Sequence, residues 1–242
     1  MEPKKPKMRA PYGLEPIENC QLKGSTFFRQ LSSASMKDFA AVKSPAVYPA
    51  GVVLFIEKQD PRGVFVLCSG EVKLSISSSA GKTLILKIAR PGEVLGLVAT
   101  VTGNPYEGTA ETLHPCQVIF VRRGDFLRFI AKHPEANAEV VRQLSSSYLA
   151  ACERLRTVGL SASAPEKLAR VLLEWSVQGK ATKRGTRIRL PLSHEEVARF
   201  IGTSRETVTR TLSEFKHRQL VAVEGSTLMI ANRTALESLS GD

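Results

Sequence analysis

Four polar residues close to position 207 have side chains that suit the recognition of DNA bases. Arg205, Glu206 and Arg210 stand at positions i, i+1 and i+5, and Thr209 directly precedes the last of them. On a helix this spacing would spread the charges over successive base pairs. An arginine donates two hydrogen bonds to O6 and N7 of guanine, and a carboxylate accepts one from N4 of cytosine. The alternative is a solvated helix face whose charges pair with each other.

The residues around this group carry the start signals of two helices. Ser193 and Glu196 form an S-x-x-E capping box, Thr203 and Glu206 form a T-x-x-E box, and Gly202 lies between the two segments. Each box marks a helix start. The pattern therefore predicts a helix-turn-helix whose second helix enters the major groove. The candidate phosphate contacts are Ser193, Thr203, Ser204, Lys216, His217 and Arg218, with the wing around Gly225.

The neighbouring segments complete this C-terminal domain. Residues 166–179 have an amphipathic helical pattern, and residues 187–192 alternate like a short strand. Residues 221–231 have the pattern of a β-hairpin that turns at 224–226. The apolar positions expected to hold the two central helices together are Val197, Phe200, Ile201, Val208, Leu212 and Phe215.

The N-terminal part consists of short apolar runs between glycines and prolines. Five runs have the length and alternation of β-strands, at 52–56, 63–70, 71–77, 83–89 and 116–122. Many short strands at close spacing indicate a β-roll or jelly roll. The predicted fold class is therefore α+β, with a β-rich domain before the helical one.

A long helix is predicted to begin at Pro134 and to follow the β-domain. Its apolar residues alternate at spacings of three and four, as in the a/d seam of a coiled coil. They are Val141, Leu144, Tyr148, Ala151, Leu155 and Val158. A seam this narrow favours pairing with a second copy of the chain, although packing on the chain's own β-domain is an alternative. Gly159 and residues 161–165 would end the helix.

Composition and charge favour a nucleic-acid partner. The 242 residues include 34 Lys and Arg against 23 Asp and Glu, a formal net charge of +11, which indicates a polyanionic partner. No segment approaches the roughly 20 apolar residues of a membrane helix, and no apolar stretch of a secretory signal follows the basic N-terminus. The four cysteines lack close pairs, as in reduced cytosolic proteins. We therefore expect a cytoplasmic protein that does not contact a membrane.

The sequence resembles the Crp/Fnr family of bacterial transcription regulators over almost its whole length. The motif TSRETVTRTL, the strand-turn segment 51–74 and the PGEVLGL turn at 91–97 carry this resemblance. In the family, Arg, Glu and Arg at the positions of Arg205, Glu206 and Arg210 read a TGTGA-like half-site. The resemblance implies a homodimer on a palindromic site in double-stranded DNA, and contact with RNA polymerase. It also implies four regions: a flexible basic arm (1–24), a β-roll effector domain (25–132), a dimerisation helix (133–160) and a winged helix-turn-helix domain (161–242).

The cyclic-nucleotide pocket of the family is degenerate in this sequence. Leu97 stands where cyclic-nucleotide binders have a glutamate that holds the ribose hydroxyl. Tyr106 and Glu107, or Glu107 and Gly108, stand where they have an Arg-Ser pair that clamps the phosphate. A buried phosphate without a cation has no charge-assisted partner, so ordinary cyclic-AMP binding is not expected. The residues of this degenerate pocket are Gly92, Glu93, Gly96, Leu97, Tyr106, Glu107, Ser147 and Tyr148.

Other functions stay open at this point. Another ligand, or redox or haem chemistry in the β-roll, could switch the regulator. Cys20 and Cys116 resemble two ligands of the family's iron–sulfur branch, but Lys23 and Arg29 stand where partner cysteines are expected. The histidines lack metal-binding spacing, so no cofactor or metal is predicted. A chromosomal coating protein would use the charge without the Arg–Glu–Arg group, and an enzyme is disfavoured because no catalytic motif is present.

Overall fold

A computed structural model of the protein describes residues 30–160, 163–225 and 227–240. The chain divides into two compact units. The first holds the described residues up to Ile76 together with Lys87–Tyr148, and the second holds Ser77–Leu86 and the described residues from Leu149 onward. The predicted basic arm at 1–24 lies outside the described residues. The division assigns residues 77–86 and the end of the long helix to the C-terminal unit, which differs from the predicted boundaries.

The β-roll consists of two four-stranded sheets. One sheet has the strand order β1-β8-β3-β6 and the other has the order β2-β7-β4-β5. The strands are β1 (Ser44–Tyr48), β2 (Val53–Phe55), β3 (Gly63–Ser69), β4 (Val72–Ser77), β5 (Thr83–Ala89), β6 (Val94–Leu95), β7 (Thr109–Thr112) and β8 (Cys116–Arg122). All five predicted strands are present, and the short strands β1, β6 and β7 were not predicted.

Three short helices cover the roll. They are α1 (Ser33–Val42), α2 (Leu97–Thr102) and α3 (Arg123–Lys132). Phe39 of α1 and Phe129 of α3 pack edge to face, with ring centroids 5.5 Å apart. Both belong to one buried cluster with Val64 and Val66 of β3. Apolar burial between the strands and these helices is thus the main force that holds the first unit together.

A hydrogen-bonded group of polar residues fixes the junction between α3 and the long helix. His133 Nδ1 lies 3.2 Å from Ser35 Oγ, and His133 Nε2 lies 2.9 Å from Asp38 Oδ2. Ser35 also donates to Glu135, and this bond is the largest of several hydrogen bonds that lower the pKa of Glu135 to about 2. The serine, histidine and aspartate have the composition of a hydrolytic triad, but Ser35 is completely buried. The group is therefore structural, since no substrate could reach its hydroxyl.

The long helix α4 spans Pro134–Leu155, and a π-helical turn follows at Arg156–Leu160. The seam residues Val141, Tyr148 and Leu155 are exposed, the last two by 70% and 72%. The α-helix ends four residues before the predicted break at Gly159. As a result Val158 lies in the π-helical turn and is half-buried. Its Cγ1 atom would lie 3.2 Å from a Cβ added at Gly202, so Val158 is not part of a continuous helical seam.

Besides the end of α4, the described residues of the second unit form four helices and a four-stranded sheet of order β11-β12-β10-β9. Its elements are α5 (Ala164–Ser176), β9 (Lys180–Thr182), β10 (Gly185–Arg189), α6 (His194–Ile201), α7 (Arg205–His217), β11 (Val221–Glu224), β12 (Thr227–Ile230) and α8 (Arg233–Ser240). The predicted strand at 187–192 instead covers 185–189, and it pairs with the unpredicted β9. Within the described residues, no helix is long and apolar enough to cross a membrane.

Candidate DNA-binding site

The first helix of the motif, α6, begins and ends as the sequence predicts. Ser193 accepts a hydrogen bond from the amide of Glu196, and the Glu196 carboxylate accepts from the Ser193 amide at 3.1 Å, so the capping box is complete. The helix ends at Gly202, whose φ of 67° is left-handed. Glycine adopts this conformation at little cost, which allows the sharp turn into the next helix.

The second helix, α7, begins one residue later than predicted. Its N-cap is Ser204, whose Oγ accepts from the amide of Thr207 at 3.2 Å. The predicted cap, Thr203, uses its amide to donate to Ala198 O at 3.0 Å. Thr203 therefore belongs to the turn that closes α6, and the predicted Thr203–Glu206 box is wrong.

The four residues predicted to read bases share the exposed surface of α7. Arg205, Glu206, Thr209 and Arg210 are all exposed. The opposite side of the motif is apolar and buried, through Val197, Phe200, Ile201, Val208, Leu212 and Phe215. Packing of the six apolar side chains thus leaves the polar face of α7 free for a partner.

The two arginines of this face are not engaged in ion pairs among the described residues. Neither Arg205 nor Arg210 forms an ion pair in the part of the chain that the structure describes. By contrast, Arg199 pairs with Glu195 at 3.2 Å and Arg218 with Glu214 at 3.6 Å. The alternative of a mutually salt-bridged face therefore does not apply to the two arginines of the recognition group.

Glu206 is held in its ionised form. A hydrogen bond from its own backbone amide is the largest cause of a lowered pKa, and a hydrogen bond from Ser204 adds to it. The N-terminus of a helix also favours negative charge. A charged carboxylate accepts hydrogen bonds but cannot donate one, which suits the amino group of cytosine.

A contact that the sequence did not suggest orients Thr209. His194 Nδ1 lies 3.1 Å from Thr209 Oγ1. The two residues are fifteen positions apart and meet because α6 crosses α7. No spacing rule could have paired them, since the crossing angle depends on the apolar packing underneath.

The predicted phosphate contacts occupy the edges of this face. Ser193 and Ser204 are helix caps, and Lys216 and His217 are exposed at the end of α7. The exposed Gly225 lies in the turn that joins β11 and β12. Thr203 is half-buried and Arg218 is engaged with Glu214, so these two are less available than predicted.

Arg154 connects α4 to the helix-turn-helix. Its guanidinium lies 3.5 Å from the centroid of the Phe200 ring. The Phe200 ring in turn lies 5.6 Å from Trp175 of α5. Arg154 Nη2 is 3.5 Å from Ile85 O, and Nε is buried with no hydrogen-bond partner among the described residues. Burial accordingly lowers the pKa of Arg154 to about 10.

The degenerate pocket of the first unit contains a buried tyrosine. The Tyr106 hydroxyl donates to Gly63 O at 2.8 Å and accepts from the amides of Arg62 and Gly63 at 3.1 and 3.3 Å. Its ring stacks on Phe55 with centroids 4.1 Å apart, and a Cβ at Gly96 would lie 2.7 Å from the ring. Burial raises the pKa of Tyr106, so the hydroxyl stays protonated and able to donate.

The other pocket residues do not supply a phosphate site. Leu97 is buried in the apolar cluster of the roll, and Glu107 is exposed. A Cβ at Gly108 would lie 2.8 Å from Ser75 O, so a larger side chain does not fit there. Glu93, in the turn between Gly92 and Gly96, pairs with Lys87.

The two remaining pocket residues, Ser147 and Tyr148, lie on α4. Ser147 is half-buried and Tyr148 is exposed.

Cys116 is a buried free thiol whose pKa is raised to about 11 by burial, and Cys152 is also free. Cys68 is disulfide-bonded, so the expectation that all cysteines are reduced is wrong. Cys20 lies outside the described residues, and no group of metal-ligating side chains is found within them.

Two family models match the chain, one in each unit's main segment. The Crp-like helix-turn-helix domain matches residues 166–239, and the cyclic nucleotide-binding domain matches residues 45–133. The first includes α6 and α7, and the second includes the roll and the pocket residues from Gly92 to Glu107.

Characterised relatives cover most of the chain. A CRP-like cAMP-activated global transcriptional regulator of Mycobacterium tuberculosis is 26% identical over 79% of this chain and 86% of its own. The transcriptional activatory protein AadR of Rhodopseudomonas palustris is 27% identical over 85% of this chain and 84% of its own length. The solved structure of FixK2 from Bradyrhizobium japonicum superposes with a TM-score of 0.72 at 22% identity, covering 82% of this chain and 97% of the other. This last similarity shows the fold.

Proposed function

We propose that the chain, which belongs to the Crp/Fnr family of transcription regulators, binds a TGTGA-like palindrome as a homodimer in the cytoplasm. Each copy would place α7 in one major groove. Half-sites about 34–36 Å apart match the two-fold symmetry of such a dimer. The protein would act through contact with RNA polymerase rather than by catalysis.

The polar face of α7 is the observation that carries this proposal. Arg205, Glu206 and Arg210 are exposed at the start of the helix, and the two arginines have no ion pairs within the described residues. Exposed arginines without ion pairs are available to a binding partner that presents hydrogen-bonding groups in fixed positions. Base edges in the major groove have such groups.

The exposed apolar residues of α4 support a homodimer. Val141, Tyr148, Leu149 and Leu155 would cost free energy if left in water. Packing against the same helix of a second copy would bury them, and such an interface has two-fold symmetry. The exposure of these side chains disfavours the alternative, in which the whole seam packs on the chain's own roll.

Control by ordinary cyclic AMP is not part of the proposal. Leu97 and Gly108 cannot bind a ribose hydroxyl or a phosphate with their side chains, and Tyr106 fills the adjoining space with its own hydrogen bonds. We infer that the DNA-binding state is populated without a cyclic nucleotide, or that a different ligand shifts it. Tyr106 would then serve in place of a ligand within the roll.

A fluorescence-anisotropy titration tests the proposal. The probe is a duplex with a TGTGA/TCACA palindrome at near-physiological salt, without and with cyclic AMP. We expect tight binding that cyclic AMP does not change, whereas binding that requires cyclic AMP would show that the pocket interpretation is wrong. Native mass spectrometry of the purified protein then detects any other retained ligand.

A pair of variants separates base reading from general charge. Arg205→Ala should cost about 1–3 kcal/mol on the palindrome and relax the preference at one base pair. Arg199→Ala is the matched control, because it removes an exposed arginine that pairs with Glu195. Equal losses for Arg205→Ala on all DNA sequences would mean that Arg205 contacts only phosphate.

A further inference from the structure

The hydroxyl of Thr209 is held differently from other hydroxyls in the helices. Those of Thr102, Ser213 and Ser238 each donate to the backbone carbonyl four residues earlier in their own helix. Thr209 makes no such bond within the ranges that the structure describes. Its Oγ1 instead lies 3.1 Å from Nδ1 of His194, on α6. The Thr209 hydroxyl is thus turned away from its own helix and towards a neighbouring one.

The two backbones that meet at this contact are both fixed. His194 is the first residue of α6 and directly follows Ser193, whose capping box with Glu196 is complete. Thr209 lies in the middle of α7, which packs on α6 through buried apolar side chains. A threonine in a helix divides its side chain between two rotamers, because its hydroxyl can bond to the preceding turn. The contact with His194 therefore selects one of these rotamers.

The selected rotamer leaves the hydroxyl available to a partner of α7. Thr209 is exposed, and it lies one helical turn after Arg205 and directly before Arg210. A hydroxyl can donate one hydrogen bond and accept two, so the contact with His194 leaves part of this capacity unused. Threonine hydroxyls bond to base edges in the major groove. A hydroxyl that is fixed before binding also loses less conformational freedom when it binds.

His194 also determines how the Thr209 hydroxyl can be used. When Nδ1 carries no proton, it accepts the hydroxyl proton, and Thr209 can only accept hydrogen bonds from a base. When Nδ1 carries a proton, it donates to Oγ1, and the hydroxyl can donate to a base. Without the imidazole, the hydroxyl can turn back to a carbonyl of its own helix, as that of Ser213 does.

We propose that His194 is a positioning residue for DNA recognition, which holds the Thr209 hydroxyl so that it sets the preference at one base pair of each half-site. The inference rests on the proposed function, since α7 must lie in the major groove. Loss of His194 would remove the preference at that base pair and leave the preferences set by Arg205 and Arg210. A contact that only joined α6 to α7 would instead affect binding to all sequences equally.

The test is a scan of one half-site of the palindrome by fluorescence anisotropy. Each base pair is replaced in turn by the other three, and the ratio of Kd values to that of the unaltered palindrome gives the preference at that position. T209V removes the hydroxyl with little change of shape, and H194A removes the imidazole. H194N keeps an amide group at the place of Nδ1, whereas H194Q carries its amide one bond further out.

Two control variants alter neighbouring exposed side chains. S213A removes a hydroxyl one turn further along α7 that is bonded to its own helix. E195A truncates the exposed residue that follows His194 and pairs with Arg199. Both should leave the preference at every position of the half-site unchanged.

We expect T209V to lose a roughly two- to tenfold preference at one position, the size that a single hydrogen bond gives. H194A should lose the preference at the same position and to a similar extent. The double variant H194A/T209V should lose no more than either single variant, because both changes remove the same interaction. H194N should keep the preference, and H194Q should lose it.

Three outcomes would overturn the inference. They are a T209V variant that keeps every preference, an H194A variant that keeps the preference lost in T209V, and an H194A variant that binds all duplexes more weakly by one common factor. If circular dichroism shows that H194A does not fold, the comparison of H194N with H194Q decides, and equal preferences in these two variants refute the role of His194. If the unchanged protein does not prefer the palindrome over random DNA, the proposed function fails as well.

Discussion

Removal of one hydroxyl from the β-roll should destabilise it strongly. In the Tyr106→Phe variant the ring and its stacking on Phe55 remain, so the change is confined to three hydrogen bonds. Gly63 O loses its donor, and the amides of Arg62 and Gly63 lose an acceptor. These groups are buried, with Tyr106 only 3% exposed, so water cannot replace the hydroxyl without rearrangement.

The expected loss is about 2–3 kcal/mol in the free energy of unfolding. A buried polar group that is left unpaired costs about 1–3 kcal/mol, and the two amide contacts are longer and contribute less. With a urea slope of about 1–3 kcal/mol per molar, the midpoint should fall by about 0.7–3 M. Urea unfolding followed by circular dichroism measures this shift.

Tyr48→Phe is the matched control for this variant. It removes the same hydroxyl from a tyrosine of β1 that makes no side-chain hydrogen bond within the described residues, so its unfolding midpoint should stay within error of the unchanged protein. If Tyr106→Phe also unfolds at the unchanged midpoint, Tyr106 does not hold the roll together. The inference that it takes the place of a ligand would then lose its energetic basis.

Two other side chains give direct tests of the DNA-binding unit. Carbon-13 NMR titration should place the pKa of Glu206 below its ordinary value of 4.5, so the carboxylate stays charged as the pH falls to that value. Ser204→Ala should raise the pKa of Glu206 towards 4.5. An unchanged pKa in this variant would show that the Ser204 cap does not act on Glu206. Arg154→Ala removes the guanidinium that covers Phe200 and should lower the stability of this unit by about 1–2 kcal/mol, measured through the fluorescence of Trp175. Arg156→Ala is its control, because Arg156 is exposed and pairs with Glu153, and equal effects of the two variants would refute a special role for Arg154.

Local signals in the sequence predicted much of the fold. The five predicted strands and the two central helices are present because alternation and capping are properties of short segments. Strands β6 and β9 have two and three residues, too few to show a period. They form because neighbouring strands offer their hydrogen-bonding edges. The pattern of residues along the sequence does not show which strands become neighbours.

The candidate site was predictable in its residue types but not in its detail. The exposure of Arg205, Glu206 and Arg210 followed from the apolar positions on the other side of α7. The choice between Thr203 and Ser204 as cap did not, since both can cap a helix. The amide of Thr203 is used by the end of α6, and only the fold of the turn determines this.

Only some features of the degenerate pocket could be predicted from the sequence. The absence of a cation and a ribose-binding acid could be seen in the sequence. The hydrogen bonds of Tyr106 could not, because they join residues more than forty positions apart. The same is true of the contact between His194 and Thr209, which depends on how α6 and α7 cross.

The proposed pairing along the exposed apolar line of α4 would make DNA occupancy depend on the abundance of the chain. A protein that must pair along this line before it can occupy a palindrome obeys mass action. While the chain is mostly unpaired, the number of pairs rises with the square of the number of chains. A twofold change in synthesis would then change the occupancy of a weak site about fourfold, so the abundance of the chain could itself act as a signal.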